Sequence, residues 1–376
     1  MEYQMGTNDR HGATVRGRVV GVVLAAVIFG SIGWAGAVSG LVVFAIAGLS
    51  MVVALALVLW NTTPFLFRAN PRYKPTRTEC IRWPEARPIE PAGKHRRLIF
   101  CVHGFPSTPA DFRKLVAAAD ARGWDLAAPL LPGCGTDPKD LLVTEWSQYL
   151  ALVRDEWARL RPRYDSACLF GTSLGGSLAL ALAQETCAAR ETGENPALAP
   201  AAIATAGSPA VLNAWLRYGL VLNPLVYLAR SLGALVPSLG AALPHPDRAG
   251  EDGDGDWKGY LGMYPRQTYT MQMGLNAMTR GLGRVTCPAL VCHARGDRMV
   301  DFRNAGIILE GLGSSDIEAY VANMDGYSHM QHNLVLYDSQ RDRVWACVLD
   351  FFERHTVRHE VACVVATRDG GNDGTR

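Results

Sequence analysis

The chain has 376 residues, 49% of them hydrophobic and 19% charged, and its 37 Lys and Arg against 35 Asp and Glu leave a formal net charge of +2. That balance excludes a disordered or collagenous chain and a nucleic-acid binder held by bulk positive charge, so no nucleic-acid partner is expected. Length alone allows two or three units of ~100–200 residues, but α/β enzymes often run past 200 as one domain, and the distribution of apolar residues has to decide.

After a polar tail over residues 1–18, no Asp, Glu, Lys, Arg or His stands between Val19 and Trp60. The stretch is about twice the ~20 residues that cross a bilayer as helix, and its middle, Gly33 to Gly40, is rich in small residues. It reads as two transmembrane helices in a hairpin, Val19–Ala37 and Leu41–Trp60. The alternative is a cleaved signal peptide, with Arg16 and Arg18 before its apolar region and Ala35-Gly36-Ala37 as cleavage site, which leaves Leu41–Trp60 as one span. Arg10, Arg16 and Arg18 precede the block and Arg68, Arg72, Lys74 and Arg77 follow it, so both flanks prefer the cytoplasmic side. The expectation is a protein of the inner or plasma membrane whose large domain is cytoplasmic. Nine scattered cysteines without a CxxC pair read as free thiols.

Residues 61–92, rich in proline, read as a linker. From 93 to 355 short apolar runs alternate with helical-period segments, as a mostly parallel sheet with flanking helices requires. Strands are expected at 98–102, 126–131, 167–170, 201–206, 289–293 and 317–322, and helices at 111–122, 146–161, 174–184 and 344–354. Between about 209 and 284 the pattern turns helical and aromatic, with Trp215, Tyr218, Tyr227, Trp257, Tyr260, Tyr264 and Tyr269, and reads as a helical cap inserted over the carboxyl edge of the sheet. Its aromatic residues, with Met263, Met271, Met273 and Met278, fit either an acyl-chain pocket or core packing. Residues 356–376 read as a flexible tail.

Chemistry concentrates at Gly171-Thr172-Ser173-Leu174-Gly175, a serine between glycines, directly after an apolar strand and before an Ala/Leu helix. Such a turn lifts the serine oxygen clear of the sheet. A hydroxyl needs a base to take its proton and a third group to fix the tautomer of that base. In the order Ser, acid, His that accompanies this elbow, Gly296-Asp297 ends a late strand and Ser328-His329 lies past the next one. Asp297 is therefore expected as the acid and His329 as the base. His332, three residues on, is the alternative base, and Asp301 reads as the cap of a following helix. His293, at a strand end, reads as structural, and so does His103 in its turn. Developing negative charge on a carbonyl oxygen needs fixed donors, for which the backbone N–H groups of Leu174 and Phe105 are the candidates.

These motifs together, with Val102-His103-Gly104-Phe105 and Leu130-Leu131-Pro132-Gly133-Cys134-Gly135, occur in the order seen in α/β hydrolases. Over residues 97–352 the chain resembles the bacterial carboxylesterase and monoacylglycerol lipase group, although Cys134 stands where a histidine is common. The resemblance implies an α/β-hydrolase fold with a small helical cap and a serine esterase that passes through an acyl-enzyme. Its partner is expected to be a small-molecule acyl ester, lipophilic in view of the apolar N-terminal block. An acyltransferase would use the same triad, and a membrane-anchored interaction domain would keep the fold without the chemistry.

No cofactor or metal is expected. The acidic tract Glu251–Asp256 lacks a glutamate twelfth from Asp252, as a calcium loop would need, and reads as a solvated loop. The elbow glycines lack the lysine of a phosphate loop.

Overall fold

A computed structural model describes residues 40–62, 80–212, 239–242, 251–327 and 330–368, together with residue 229. The chain divides into two compact units, Met1–Arg68 and Ala69–Arg376. In the first, Gly40–Thr62 forms helix α1, which matches the second half of the expected hairpin. The first half lies outside the described residues, and so do residues 1–18 and most of the linker. Among the described residues no helix is long and apolar enough to cross a membrane, so the hairpin is not shown.

The second unit is built on a six-stranded sheet in the order β2-β1-β3-β4-β7-β8. Its strands are β1 (Arg97–Val102), β2 (Asp125–Ala127), β3 (Ser166–Thr172), β4 (Ile203–Ala206), β7 (Ala289–Ala294) and β8 (Ile317–Ala322), and every pairing among them is parallel. A parallel sheet needs cover on both faces, and β1 shows how the sequence supplies it. Side chains on a strand alternate between faces. Leu98, Phe100 and Val102 enter one apolar cluster, while Ile99 and Cys101 enter the other. The first cluster takes Leu141 of the one-turn helix α3 (Pro138–Leu141), Trp146, Tyr149, Val153 and Trp157 of helix α4 (Trp146–Leu160) and Leu178 and Leu182 of helix α5 (Leu174–Thr192). The second takes Trp345, Val348, Phe351 and Phe352 of the closing helix α8 (Arg341–Arg368), with Phe112, Leu115 and Ala119 before β2. Burial of one such side chain contributes ~1.5–3 kcal/mol, so both clusters resist separation of the layers.

Three details differ from the sequence expectation. The helix foreseen at 111–122 is a 3₁₀ segment, Pro109–Leu115, that runs into helix α2, Val116–Ala121, because Thr108 starts it early by accepting a bond from the Ala110 N–H. Helix α8 continues well beyond Arg354, since no Gly or Pro interrupts it before Arg368. Inside the segment expected to be a helical cap, β5 (Leu239–Ala242) and β6 (Leu261–Met263) form an antiparallel ribbon. Their Gly- and Ala-containing sequences carry no alternation that would announce a strand.

Much of that segment belongs to the core. Helix α6 (Pro265–Arg280) sends Met271, Leu275 and Met278 into the first cluster, joined there by Tyr260 and Tyr264. Met263, by contrast, is exposed. The acidic tract is tied down: Asp252 accepts bonds from the N–H of Ser339 at 2.6 Å and its hydroxyl at 2.5 Å, and Asp256 pairs with Lys114 at 2.6 Å. All eight described cysteines are free thiols.

Candidate active site

Ser173 occupies the one-residue turn between β3 and α5 with φ 51° and ψ −128°. A left-handed φ at a residue with a side chain stores on the order of 1–3 kcal/mol and persists only where its surroundings enforce it. Here they do. Gly175, in the first turn of α5, lies so near the end of β1 that a Cβ on it would stand 2.0 Å from the carbonyl oxygen of Val102. Ser173 is fixed from the other side by its own N–H, which donates to the carbonyl of Ala206 at the end of β4 at 2.8 Å. Leu174 is the first residue of α5, so its N–H has no partner within the helix and lies at the positive end of the helix dipole.

The turn after β1 closes over this elbow. A Cβ on Gly104 would sit 2.9 Å from the Cβ and 3.5 Å from the Oγ of Ser173. Phe105 follows, its ring 5.8 Å from that of Tyr264 and 6.2 Å from that of Tyr149. His103 is wholly buried and holds the turn: its Nε2 accepts the N–H of Leu131 at 3.0 Å, so Nδ1 carries the proton and donates to the carbonyl of Gly104 at 2.9 Å. Burial lowers its pKa to about 4 even though the Gly104 bond opposes that shift. A neutral histidine with both nitrogens engaged is a structural residue, as its place in the turn implied.

Asp297 stands just past β7, its side chain fully buried. One carboxylate oxygen accepts the N–H groups of Met299 and Val300, each at 2.8 Å. The other lies 2.7 Å from Nδ1 of His332. Burial alone would raise the pKa of Asp297, but the charge of His332 and hydrogen bonds from His293, His332 and Val300 outweigh it and bring it to about 2. An ionised carboxylate can only accept, so Nδ1 of His332 donates and Nε2 is left with its lone pair. For His332 burial pushes the pKa down, yet the charge and hydrogen bond of Asp297, with the charge of Asp111, raise it.

His329, the expected base, lies outside the described residues, and the imidazole joined to Asp297 belongs to the alternative, His332. Asn323 accepts the N–H of Asp325 and Met324 accepts that of Tyr327, so the chain spends its first residues past the strand on a turn. The Asn-Met-Asp-Gly sequence carries that signal, and it delays the arrival of the histidine. The acid and histidine loops are then joined through the Arg298 N–H and the Met330 carbonyl at 3.0 Å. On its other side the ring of His332 rests on Gly207, where a Cβ would stand 3.3 Å from both Cε1 and Nδ1. Gly207 directly follows Ala206, which holds the N–H of Ser173, so the nucleophile turn and the imidazole both border the end of β4.

The competitors have other work. The Asp301 carboxylate accepts the N–H of Arg303 at the start of helix α7 (Arg303–Gly311). His293 is 1% exposed, with Nε2 at 3.0 Å from the carbonyl of Val300 and 3.4 Å from the Asp297 carboxylate. One buried acid beside the site escaped the sequence reading. Asp111 takes the hydroxyl of Ser107 at 2.8 Å and a hydrogen bond from the Asn333 side chain, and the charge of His332 acts on it. Its spacing of four from Ser107 in a turn was the only signal available. Among the described residues Asp316, Glu318 and His355 lie close enough to hold a metal, but Arg354 already takes both carboxylate oxygens of Glu318.

The sequence model of a family described as the alpha/beta hydrolase family matches residues 99–346. The chain is 26% identical over 262 residues to a thermostable monoacylglycerol lipase of Bacillus sp. (strain H-257), an alignment that covers 68% of this chain and 90% of the relative. Among solved structures it is similar to the monoacylglycerol lipase of Paleococcus ferrophilus, with a TM-score of 0.52 and 14% identity over 69% of this chain and 94% of that one. It is also similar to a soluble variant of the monoglyceride lipase from Saccharomyces cerevisiae, with a TM-score of 0.52 and 16% identity over 72% of this chain and 89% of that one. At such identities these two structures speak for the fold alone.

Proposed function

We propose that this chain, which belongs to the alpha/beta hydrolase family, is a carboxylic ester hydrolase that works through Ser173, His332 and Asp297. The 2.7 Å bond from His332 to Asp297 carries the reading, because it leaves Nε2 as the proton acceptor that a serine nucleophile needs. Ser173 attacks the ester carbonyl as Nε2 of His332 takes its proton. The N–H groups of Phe105 and Leu174 receive the charge on the oxygen, and the protonated imidazole returns its proton to the departing alcohol. Water then enters by the same route in reverse and releases the acid from the acyl-enzyme. Assigning the base to His332 replaces His329 in that role.

The substrate we infer is a lipophilic, lipid-derived acyl ester such as a monoacylglycerol. Two observations support it: the similarity to a monoacylglycerol lipase over most of that relative, and an N-terminal block whose helix α1 exposes Phe44, Leu49, Met51, Val52 and Leu55 with no charge among them. A soluble helix would bury such a face, so we assign residues 19–60 to a membrane and residues 69–376 to its cytoplasmic side, following the basic flanks. Labelling of the full-length protein with a fluorophosphonate, lost in Ser173→Ala, is the expected result for the nucleophile. Hydrolysis of monoacylglycerols or lysolipids in preference to short soluble esters is expected for the substrate, and release of the protein from membranes by alkaline carbonate would overturn the anchor.

A further inference from the structure

Asp111 is 2% exposed in a 3₁₀ segment that packs against the sheet, where an ionised carboxylate needs strong compensation. What it receives is partial. The hydroxyl of Ser107 donates to one oxygen at 2.8 Å and the Asn333 side chain adds a hydrogen bond to the carboxylate, while Oδ1 makes none within normal geometry. The same Ser107 gives its N–H to the carbonyl of Gly104 at 3.0 Å, and Gly104 is the residue that presses on Ser173. The loop that carries His332 reaches Asp111 too: Asn333 hydrogen-bonds the carboxylate, and His332 and Asp111 act on each other by charge. A buried acid thus stands between the turn over the nucleophile and the loop of the base, with too few donors to keep it charged at every pH.

We propose that Asp111 is a second carboxyl of the site, a positioning residue that acts on the charge of His332 and so sets the pH at which the triad becomes active. The proposal rests on the function assigned above. Asp297 stays ionised and fixes the tautomer, whereas Asp111 alternates between acid and anion. As an anion it favours the imidazolium form of His332 and delays formation of the free base, and as an acid it does not. Burial raises its pKa to about 7 against the lowering effects of Ser107, Asn333 and His332, which brings its titration into the range where a histidine also titrates. Among the described residues no other charge acts on it. Arg113, on the same segment, bonds the carbonyls of Glu85 and Arg87, Lys114 pairs with Asp256, and Glu85, on the turn packed against the segment, acts on Arg113.

The test is the pH profile of kcat/KM for ester cleavage by the full chain, measured for the wild type, Asp111→Asn, Ser107→Ala and Asp165→Asn. Removal of the second carboxylate is expected to move the acid limb of Asp111→Asn down by about half a pH unit or more and to leave it a single-proton step. Ser107→Ala removes a donor that favours the anion, so its limb moves the same way by less, and it carries the test should Asp111→Asn not fold. Asp165→Asn, which removes an exposed carboxylate paired with Arg96, should overlay the wild type. A limb at the wild-type midpoint in both Asp111→Asn and Ser107→Ala overturns the proposal, even when the rate has fallen evenly at every pH. Absence of Ser173-dependent fluorophosphonate labelling in the wild type would instead remove the hydrolase reading itself.

Discussion

Gly104 and Ser173 are in contact across the end of the sheet: no atom larger than hydrogen fits on the α-carbon of one without moving the other. The turn that presents Phe105 is therefore registered against the nucleophile by direct touch. Gly104→Ala would bring its methyl to 2.9 Å from the Cβ of Ser173 and 3.3 Å from the carbonyl of Thr172. A displacement of ~1 Å in the reacting geometry costs about 10²-fold in rate, so a loss of roughly 10- to 100-fold in kcat is expected with a folded protein. A kcat within twofold of the wild type would show that the turn and the nucleophile are not coupled.

The strained backbone of Ser173 makes its removal a stabilising change. Ser173→Gly should abolish ester cleavage and raise the unfolding free energy by about 1 kcal/mol, because glycine adopts φ 51° freely. Thermal or denaturant unfolding beside Ser173→Ala reads the difference, and equal stability of the two variants would contradict stored strain at this residue.

The two candidate bases separate cleanly by substitution. His332→Ala should lower kcat by on the order of 10⁴-fold or more, since the imidazole oriented by Asp297 is lost. His329→Ala should stay within about tenfold of the wild type, the range left to a residue that takes no proton. The reverse ranking, read by initial rates on one ester, would return the role to His329.

The charge balance at His332 fixes the direction of the pH profile. Its pKa is raised above 6.5, chiefly by Asp297 against the effect of burial, and only the neutral ring accepts a proton. Activity should therefore be low in mild acid and rise through an apparent pKa above 6.5 in plots of log kcat/KM against pH. A plateau already reached at pH 6 would be incompatible with this environment.

Asp297 links the same site to stability in acid. Its folded pKa of about 2 lies below the ordinary aspartate value of 3.8, so the carboxylate stabilises the fold fully above that value. The contribution falls away as pH drops from about 4 through 2. Asp297→Asn should remove this part of the acid sensitivity, visible as a smaller fall in melting temperature between pH 5 and pH 3, together with a large loss of activity.

Five of the six main-sheet strands were legible because they are buried on both faces, and β8, half-exposed at the edge, as a short apolar run after the Gly-Ser turn; the elbow was legible because its glycines and serine sit at a strand-to-helix junction. Asp297 followed from the Gly-Asp after β7, with which it shares a short turn. The base was not fixed in the same way, since the length of the loop after β8 depends on a turn built from Asn323 to Tyr327 rather than on the histidine motif. The β5–β6 ribbon lacked any periodic signal in Leu-Gly-Ala-Ala. Asp111 opened a predicted helix, where an acid is ordinary, and only the three-dimensional arrangement shows it turned toward His332.

Strands β4 and β7 lie side by side, Ile203 opposite Ala289, although more than eighty residues separate them along the chain. The triad draws its serine from the turn after β3, before that gap, and its acid and imidazole from beyond it. Natural variation could thus lengthen, shorten or exchange the stretch from 213 to 250 while every reacting group kept its strand.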